Sequence, residues 1–313
     1  MNKWFRKGNA RRFHRIDMPI RYFIVPRSPI RDREIYATGA DYFPASLVSR
    51  IEARKDLTIQ SVGRIQEKNA LLTEIIEEII QFIEFFGECA QSISQGKNPR
   101  QDAGYWIRVK EHQQGFKKAI RIKASSPKTF QYLQMIEEKY LTFLNRVVES
   151  IDQSTPVHFY VSGHLPVGFK IDEMISTFQS PKFEKIPLIQ AILNLSNFLD
   201  GYLEIYHQIN DDNYLKQFPQ EWTLREANTS ASGLAVHMDK RYDLYSRIDI
   251  FLYFEEHDRV LPFEGTVVDI RTDERKQMER IAINFEFPNG RDQDFLQQEI
   301  QKQEIKECMK IIF

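Results

Sequence analysis

Cysteine is nearly missing. Cys89 and Cys308 are the two in 313 residues, which excludes both a disulfide framework and a zinc ribbon. No apolar run approaches the roughly 18 residues of a membrane span, and the start MNKWFRKGNARRFHR lacks the apolar stretch of a signal peptide. An excess of one charge is lacking too: 43 Lys and Arg stand against 44 Asp and Glu, which argues against a broad basic surface for long nucleic acid. The seven histidines are scattered, and the chain has no metal-ligand spacing, phosphate loop or Ser/Cys nucleophile motif. These absences point away from an enzyme, a metalloprotein and a nucleic-acid binder. What remains is 42% hydrophobic and 28% charged, ample for a packed core. The expectation is a soluble, cytoplasmic protein without a membrane span.

The balance hides an asymmetry. Residues 1–35 carry ten Lys/Arg against Asp17, Asp32 and Glu34, a net of +7. Such a head is either a solvated terminus or a surface for a small anion, an acidic partner or a membrane.

The period of the apolar residues changes twice. Ile16–Val25 is β-branched and aromatic and reads as a strand, with Pro19 marking an edge or an irregular start. The chain from 27 to about 61 is mixed loop and helix, and helical spacing then continues to about 210. Residues 127–151, opened by Ser126-Pro127, and residues 188–209 each carry one apolar stripe. Between them Val157–Val161 alternates like a short strand.

Residues 62–93 are the most regular. Val62, Ile65, Asn69, Leu72, Ile76, Ile79, Ile83, Phe86, Ala90 and Ile93 alternate three and four apart, a heptad seam with Asn69 at an a position. Ile75, Ile80 and Phe82 widen the stripe onto e and g positions, which favours more than two strands. The expectation is an oligomer seam through Ile65, Asn69, Leu72, Ile76, Ile79, Ile83 and Phe86, with a homo-oligomer, a tetramer before others, as its product. A helix buried inside a helical domain would show the same wide stripe.

After Trp222 the period falls to two. Segments 234–236, 247–254, 263–270 and 280–287 read as strands of a small antiparallel barrel or sandwich, and 292–310 as a closing amphipathic helix. The lone strand at 16–25 needs a sheet, and the substantial one is C-terminal. The ends are therefore joined: 1–26 plus 222–313 form a small β-domain, and 27–221 a mostly helical insertion containing a long coiled-coil helix. The class is α+β.

Two short motifs abut strands. Arg11-Arg12-Phe13-His14-Arg15 gives Arg-x-x-x-Arg before the first, and Asn228-Thr229-Ser230-Ala231-Ser232-Gly233 gives Asn-x-Ser-x-x-Gly before Leu234. In that order, with a closing strand and helix, the flanking regions resemble the PilZ family of bacterial β-barrels. The resemblance implies a PilZ-like barrel that binds cyclic di-GMP through Arg11, Arg15, Asn228, Ser230 and Gly233, with Arg12 as a further contact. The chemistry suits that ligand: Arg forks match phosphates and guanine O6/N7 edges. The Asn228 carbonyl and the Ser230 hydroxyl offer acceptors to guanine N–H groups, and Gly233 allows close approach. Three positions depart from the family pattern: Ala10 replaces a frequent third Arg, Asn228 a commoner Asp, and Ala282 a frequent Gly.

The functional expectation is a cyclic di-GMP receptor, without catalysis or cofactor, signalling as a homo-oligomer through a protein partner that the sequence does not name. The alternative is a degenerate PilZ-like scaffold that oligomerises and holds a protein partner without nucleotide.

Overall fold

Six strands close into an antiparallel barrel in the order β1-β2-β3-β6-β5-β4. They are β1 Ile16–Pro26, β2 Leu224–Ser230, β3 Gly233–Met238, β4 Arg247–Phe254, β5 Arg259–Asp273 and β6 Met278–Glu286. The computed structural model describes residues 15–27, 30, 32–65, 69–238, 242–273, 278–287 and 290–310. It divides into two compact units, Met1–Arg27 with Leu215–Phe313, and Ser28–Tyr214.

The barrel follows from strict alternation. Ile16, Met18, Ile20 and Ile24 of β1 point inward with Leu234, Val236, Ile248, Ile250, Leu252, Leu261, Ile281 and Ile283, all buried. The outward side chains Phe23 and Val25 of β1 join Trp222 and Tyr253 in a second, smaller cluster. Within it Phe23 and Trp222 stack at 5.7 Å, so the second half of β1 is buried on both faces. Pro19 is accommodated because β1 pairs with β4 only from Arg21 onward, and at Pro19 it faces β2 alone.

Helix α7 (Gly290–Lys310) closes the barrel core with Leu296 and Ile300. Arg259 clamps it from β5, through Asp292 at 2.9 Å and over the Phe295 ring at 4.2 Å.

Strand β2 is a feature the alternation of the sequence did not announce. Leu224, Arg225 and Glu226 are exposed and only Ala227 and Thr229 point inward, so its apolar signal is two small residues. The segment Asn228–Gly233 is mostly strand: Ser230 pairs with Gly233, leaving Ala231-Ser232 as the turn. Strand β5 runs 15 residues with a bulge between Val267 and Asp269. Residues 157–161 form no strand; Thr155 and His158 make an isolated bridge instead.

The helical unit contains α1 (Ala45–Gly63), α2 (Asn69–Ser94), α3 (Tyr105–His112), α4 (Pro127–Gln153) and α5 (Lys170–Phe178). Most of α6 (Pro187–Gln217) completes it. The proposed seam is corrected here in two ways. First, 62–93 is not one helix: Val62 lies in α1, Ile65 follows it, and α2 begins at Asn69. Second, Ile76, Ile79, Ile83 and Phe86 are at most 3% exposed within the single chain, so no partner chain can cover them. Leu72 packs against the same core from its edge. The Asn69 side chain lies outside the described residues.

The stripe on α2 is wide because the helix is central. Phe86 meets Tyr206 of α6 edge-on at 5.7 Å, and Phe82 stacks on His112 of α3 at 3.9 Å. A Cβ on Gly87 would fall 2.5 Å from the Tyr202 ring, so α2 and α6 approach where only glycine fits.

Candidate functional site

Register brings Arg15, the last residue of the first motif, beside the second motif on the outer face of the barrel. Arg15 stands immediately before β1, and the pairing of Ile16 with Thr229 sets Asp17 opposite Asn228. Asn228 donates through Nδ2 to Asp17 Oδ1 at 2.7 Å. That bond orients the amide, since a flip would oppose two oxygens. Its Oδ1 is thereby turned toward Arg15, whose Nη1 lies 3.5 Å away across 213 residues of sequence. The distance is at the long limit for a hydrogen bond, so the guanidinium is positioned beside the amide rather than locked to it.

Gly233 lies under the same guanidinium. A Cβ at this position would sit 2.9 Å from Arg15 Nη2 and 2.6 Å from the Ile283 carbonyl oxygen. The need for glycine here is close approach: any side chain would force β3 and β6 apart or displace Arg15. Arg15, Asn228 and Gly233 are thus gathered at one place. Arg11 and Arg12 lie outside the described residues.

Ser230 does something the sequence did not suggest. It is 1% exposed, and its hydroxyl donates to the Gly233 carbonyl at 3.2 Å. The turn it braces is held further by Phe285 N–H to the Ser232 carbonyl at 3.0 Å and by Gln293 Nε2 to the Ala231 carbonyl at 3.0 Å. In this geometry the hydroxyl fixes the hairpin carrying Gly233 and faces its own turn.

Beyond Gly233 the outer face of β3 and β6 is small and flat in composition. The residues alternating with inward Leu234, Val236, Ile281 and Ile283 are Gly233, Ala235 and Ala282, and Ala235 pairs with Ala282. Asn284 lies opposite Gly233. Farther along, His237, Arg280 and Arg271 occupy one cross-strand row over β3, β6 and β5. The layout is a floor of small residues on β3 and β6, with Arg15 and the Asn228 amide at one end and His237 and Arg280 at the other; Arg271 is paired to Asp269, which lies opposite Ala282, at 2.8 Å. Asp17, Asn284, His237 and Arg280 were missed because their signal is register, which one sequence does not display.

Three groups of catalytic or metal-binding residue types have structural surroundings. Burial pushes the Cys89 thiol up to about 12, with Arg108 only partly opposing it, so it is no thiolate nucleophile. Burial likewise depresses His112 to about 4, and its Nδ1 lies 2.8 Å from Tyr140 Oη. Glu256, His257 and Glu299 have metal-like spacing, but lysines occupy the carboxylates. Lys302 Nζ reaches Glu299 at 2.5 Å, and Lys306 Nζ reaches Glu256 at 3.0 Å. This is an ion-pair network tying α7 to the β4–β5 connection.

Residues 211–302 match the family model described as PilZ domain. Among solved structures, the chain is similar to the Bacillus subtilis inhibitor of motility, with 22% identity over 28% of this chain and 44% of that one, at a TM-score of 0.25. It is also similar to a Xanthomonas campestris protein described as a tetrameric PilZ domain self-assembled via a helical bundle. There the identity is 14% over 44% of this chain and 75% of that one, at a TM-score of 0.26. The alignment therefore spans less than half of the Bacillus chain. No curated protein matches the chain. No helix among the described residues is long and apolar enough to cross a membrane.

Proposed function

Because this chain carries a PilZ domain over residues 211–302, we propose that it is a receptor for cyclic di-GMP whose output is interaction with a protein partner. One observation carries the reading. Two motifs separated by more than two hundred residues place Arg15 over Gly233 and beside the Asn228 carbonyl. Arg15 would fork to a phosphate or to a guanine O6/N7 edge, and Asn228 Oδ1 would accept from a guanine N–H. Arg11 and Arg12 would supply further charge-assisted forks to the ligand. Titration of the full chain with cyclic di-GMP by calorimetry tests this. Arg15→Ala should cost about 2 kcal/mol of binding, the worth of a charge-assisted hydrogen bond. Absence of heat at high micromolar ligand would remove the receptor reading.

A second reading has its own support. Ser230 is buried and bonded within its own hairpin, and Asn228 stands where an acidic acceptor would bind guanine more strongly. A scaffold that keeps the barrel for partner binding alone satisfies both facts. It predicts a silent titration in a protein that folds normally.

A further inference from the structure

The helical unit presents a cationic, apolar strip that the barrel site does not use. Residues 105–123 run antiparallel along α2. Tyr105 and Arg108 lie against Phe85, and Arg108 Nη1 also reaches Glu88 at 2.6 Å. His112 and Phe116 follow against Phe82. Lys118 N–H then bonds Glu78 Oε2 at 3.2 Å, and Arg121 reaches Glu74 at 2.9 Å. From Glu88 to Glu74 the strip is about 20 Å long.

This inward ladder defines what points outward. On α3, Tyr105, Val109 and His112 are buried, leaving Trp106, Ile107, Lys110 and Glu111 exposed. On the 3₁₀ turn Lys117–Ile122, Ala119 and Ile122 are buried, and Lys117, Ile120 and the following Lys123 share the exposed face, three apart. Ile107 is 70% exposed, Ile120 62% and Trp106 43%. Residues 105–128 hold seven Lys/Arg against the single acid Glu111; Arg108, Lys118 and Arg121 pair with Glu88 and Glu74 of α2, so the outward charge is that of Lys110, Lys117, Lys123 and Lys128.

We propose that this strip is a docking surface for an anionic phospholipid membrane. Protruding isoleucines and a tryptophan flanked by lysines match the interface, where apolar tips enter the acyl boundary and lysine stems reach lipid phosphates. An acidic peptide would pair with the lysines and leave Ile107 and Ile120 wet. A nucleic acid would be held by charge and aromatic stacking and would gain nothing from isoleucine. The ligand site lies in the other unit, so this proposal stands independently of cyclic di-GMP binding.

The test is co-sedimentation of the full chain with vesicles of zwitterionic phospholipid containing about 30% anionic phospholipid. Binding should be about tenfold weaker to purely zwitterionic vesicles and should fall with added salt. Ile107→Ser with Ile120→Ser should weaken it about tenfold, as should Lys110→Gln with Lys117→Gln and Lys123→Gln. Melting temperatures should not change, because all five side chains are exposed. Trp106 emission should shift to the blue on vesicle addition, a shift missing from Trp106→Phe. Three results would each overturn the proposal. One is no preference for anionic vesicles; another is undiminished binding by both variants, which would hand it to another segment such as the basic head. The third is equal binding to duplex DNA that ignores the isoleucine substitutions.

Discussion

Gly233 concentrates the residue-scale logic of the site. Its hydrogen lies where a methyl would meet both a β6 carbonyl and the Arg15 guanidinium. Gly233→Ala should therefore lower barrel stability by about 1–3 kcal/mol, as overpacking does, and weaken cyclic di-GMP binding as well. Urea unfolding and calorimetry on the same variant separate the two, and an unchanged unfolding midpoint would contradict the geometry. Arg15, Asn228 and Gly233, which the structure gathers, could be singled out because their types are rare together beside strands. Asp17 could not, since it is placed by sitting opposite Asn228 in the β1–β2 register, and the bond of the Ser230 hydroxyl to its own turn was not legible because a hydroxyl looks alike whichever way it faces. His112 supplies a second residue-scale prediction. Stacked on Phe82 and 5% exposed, it is held neutral, its pKa lowered to about 4 from an ordinary 6.5 by burial and then Arg108. The unfolded chain binds this proton more readily, so the stabilisation is complete above pH 6.5 and is lost as pH falls toward 4. The loss should be about 3 kcal/mol, and it should be missing from His112→Phe combined with Tyr140→Phe, as melts across that pH range would show.

At the scale of elements, the strongest periodic signal of the sequence was also the one whose partner was misassigned. A heptad stripe states that a helix is covered on one side; it does not state by which chain. The apolar e and g positions Ile75, Ile80 and Phe82, all buried, are what a central helix needs. Its partners are α4 and α6, whose Leu133, Ile136, Phe143, Leu195, Phe198 and Leu199 are at most 1% exposed. The strands with β-branched alternation were legible, whereas β2 escaped because polar residues fill its outward face. Among the helices, α4, α5 and α6 are bound by charge as well as by oil. Lys139 of α4, 7% exposed, reaches Asp172 of α5 and Asp200 of α6 at 2.6 Å each. Burial raises the Asp200 pKa despite the lysine beside it. Lys139→Met would leave two carboxylates facing each other without their cation. With both acids partly exposed, the cost should be about 2–3 kcal/mol, below that of a fully buried pair. Urea unfolding at neutral pH measures it, and Lys139→Met with Asp172→Asn and Asp200→Asn should recover part of the loss.

For the whole molecule, two cores in one chain decide what a disrupted α2 would do. The barrel core is built from β1–β6, α7 and Tyr242 of the β3–β4 connection, and the helical core from residues 35–209. An intermolecular seam would predict that Ile76→Asp with Ile79→Asp releases folded monomers. Both side chains are instead sealed in the chain's own interior, at 3% and 0% exposure. Two unpaired carboxylates there carry a penalty of several kcal/mol each, comparable to the whole stability of a domain. The double variant should thus lose the helical core rather than change its oligomer number. Any homo-oligomer would have to be built from another face. The barrel, keeping its own core, should still respond to ligand: at a hundredfold excess over Kd, cyclic di-GMP should stabilise it by about 2.7 kcal/mol. Calorimetric melting with and without cyclic di-GMP, beside sedimentation, decides the matter. A double variant that stays fully helical and merely sediments more slowly than wild type would restore the seam between chains.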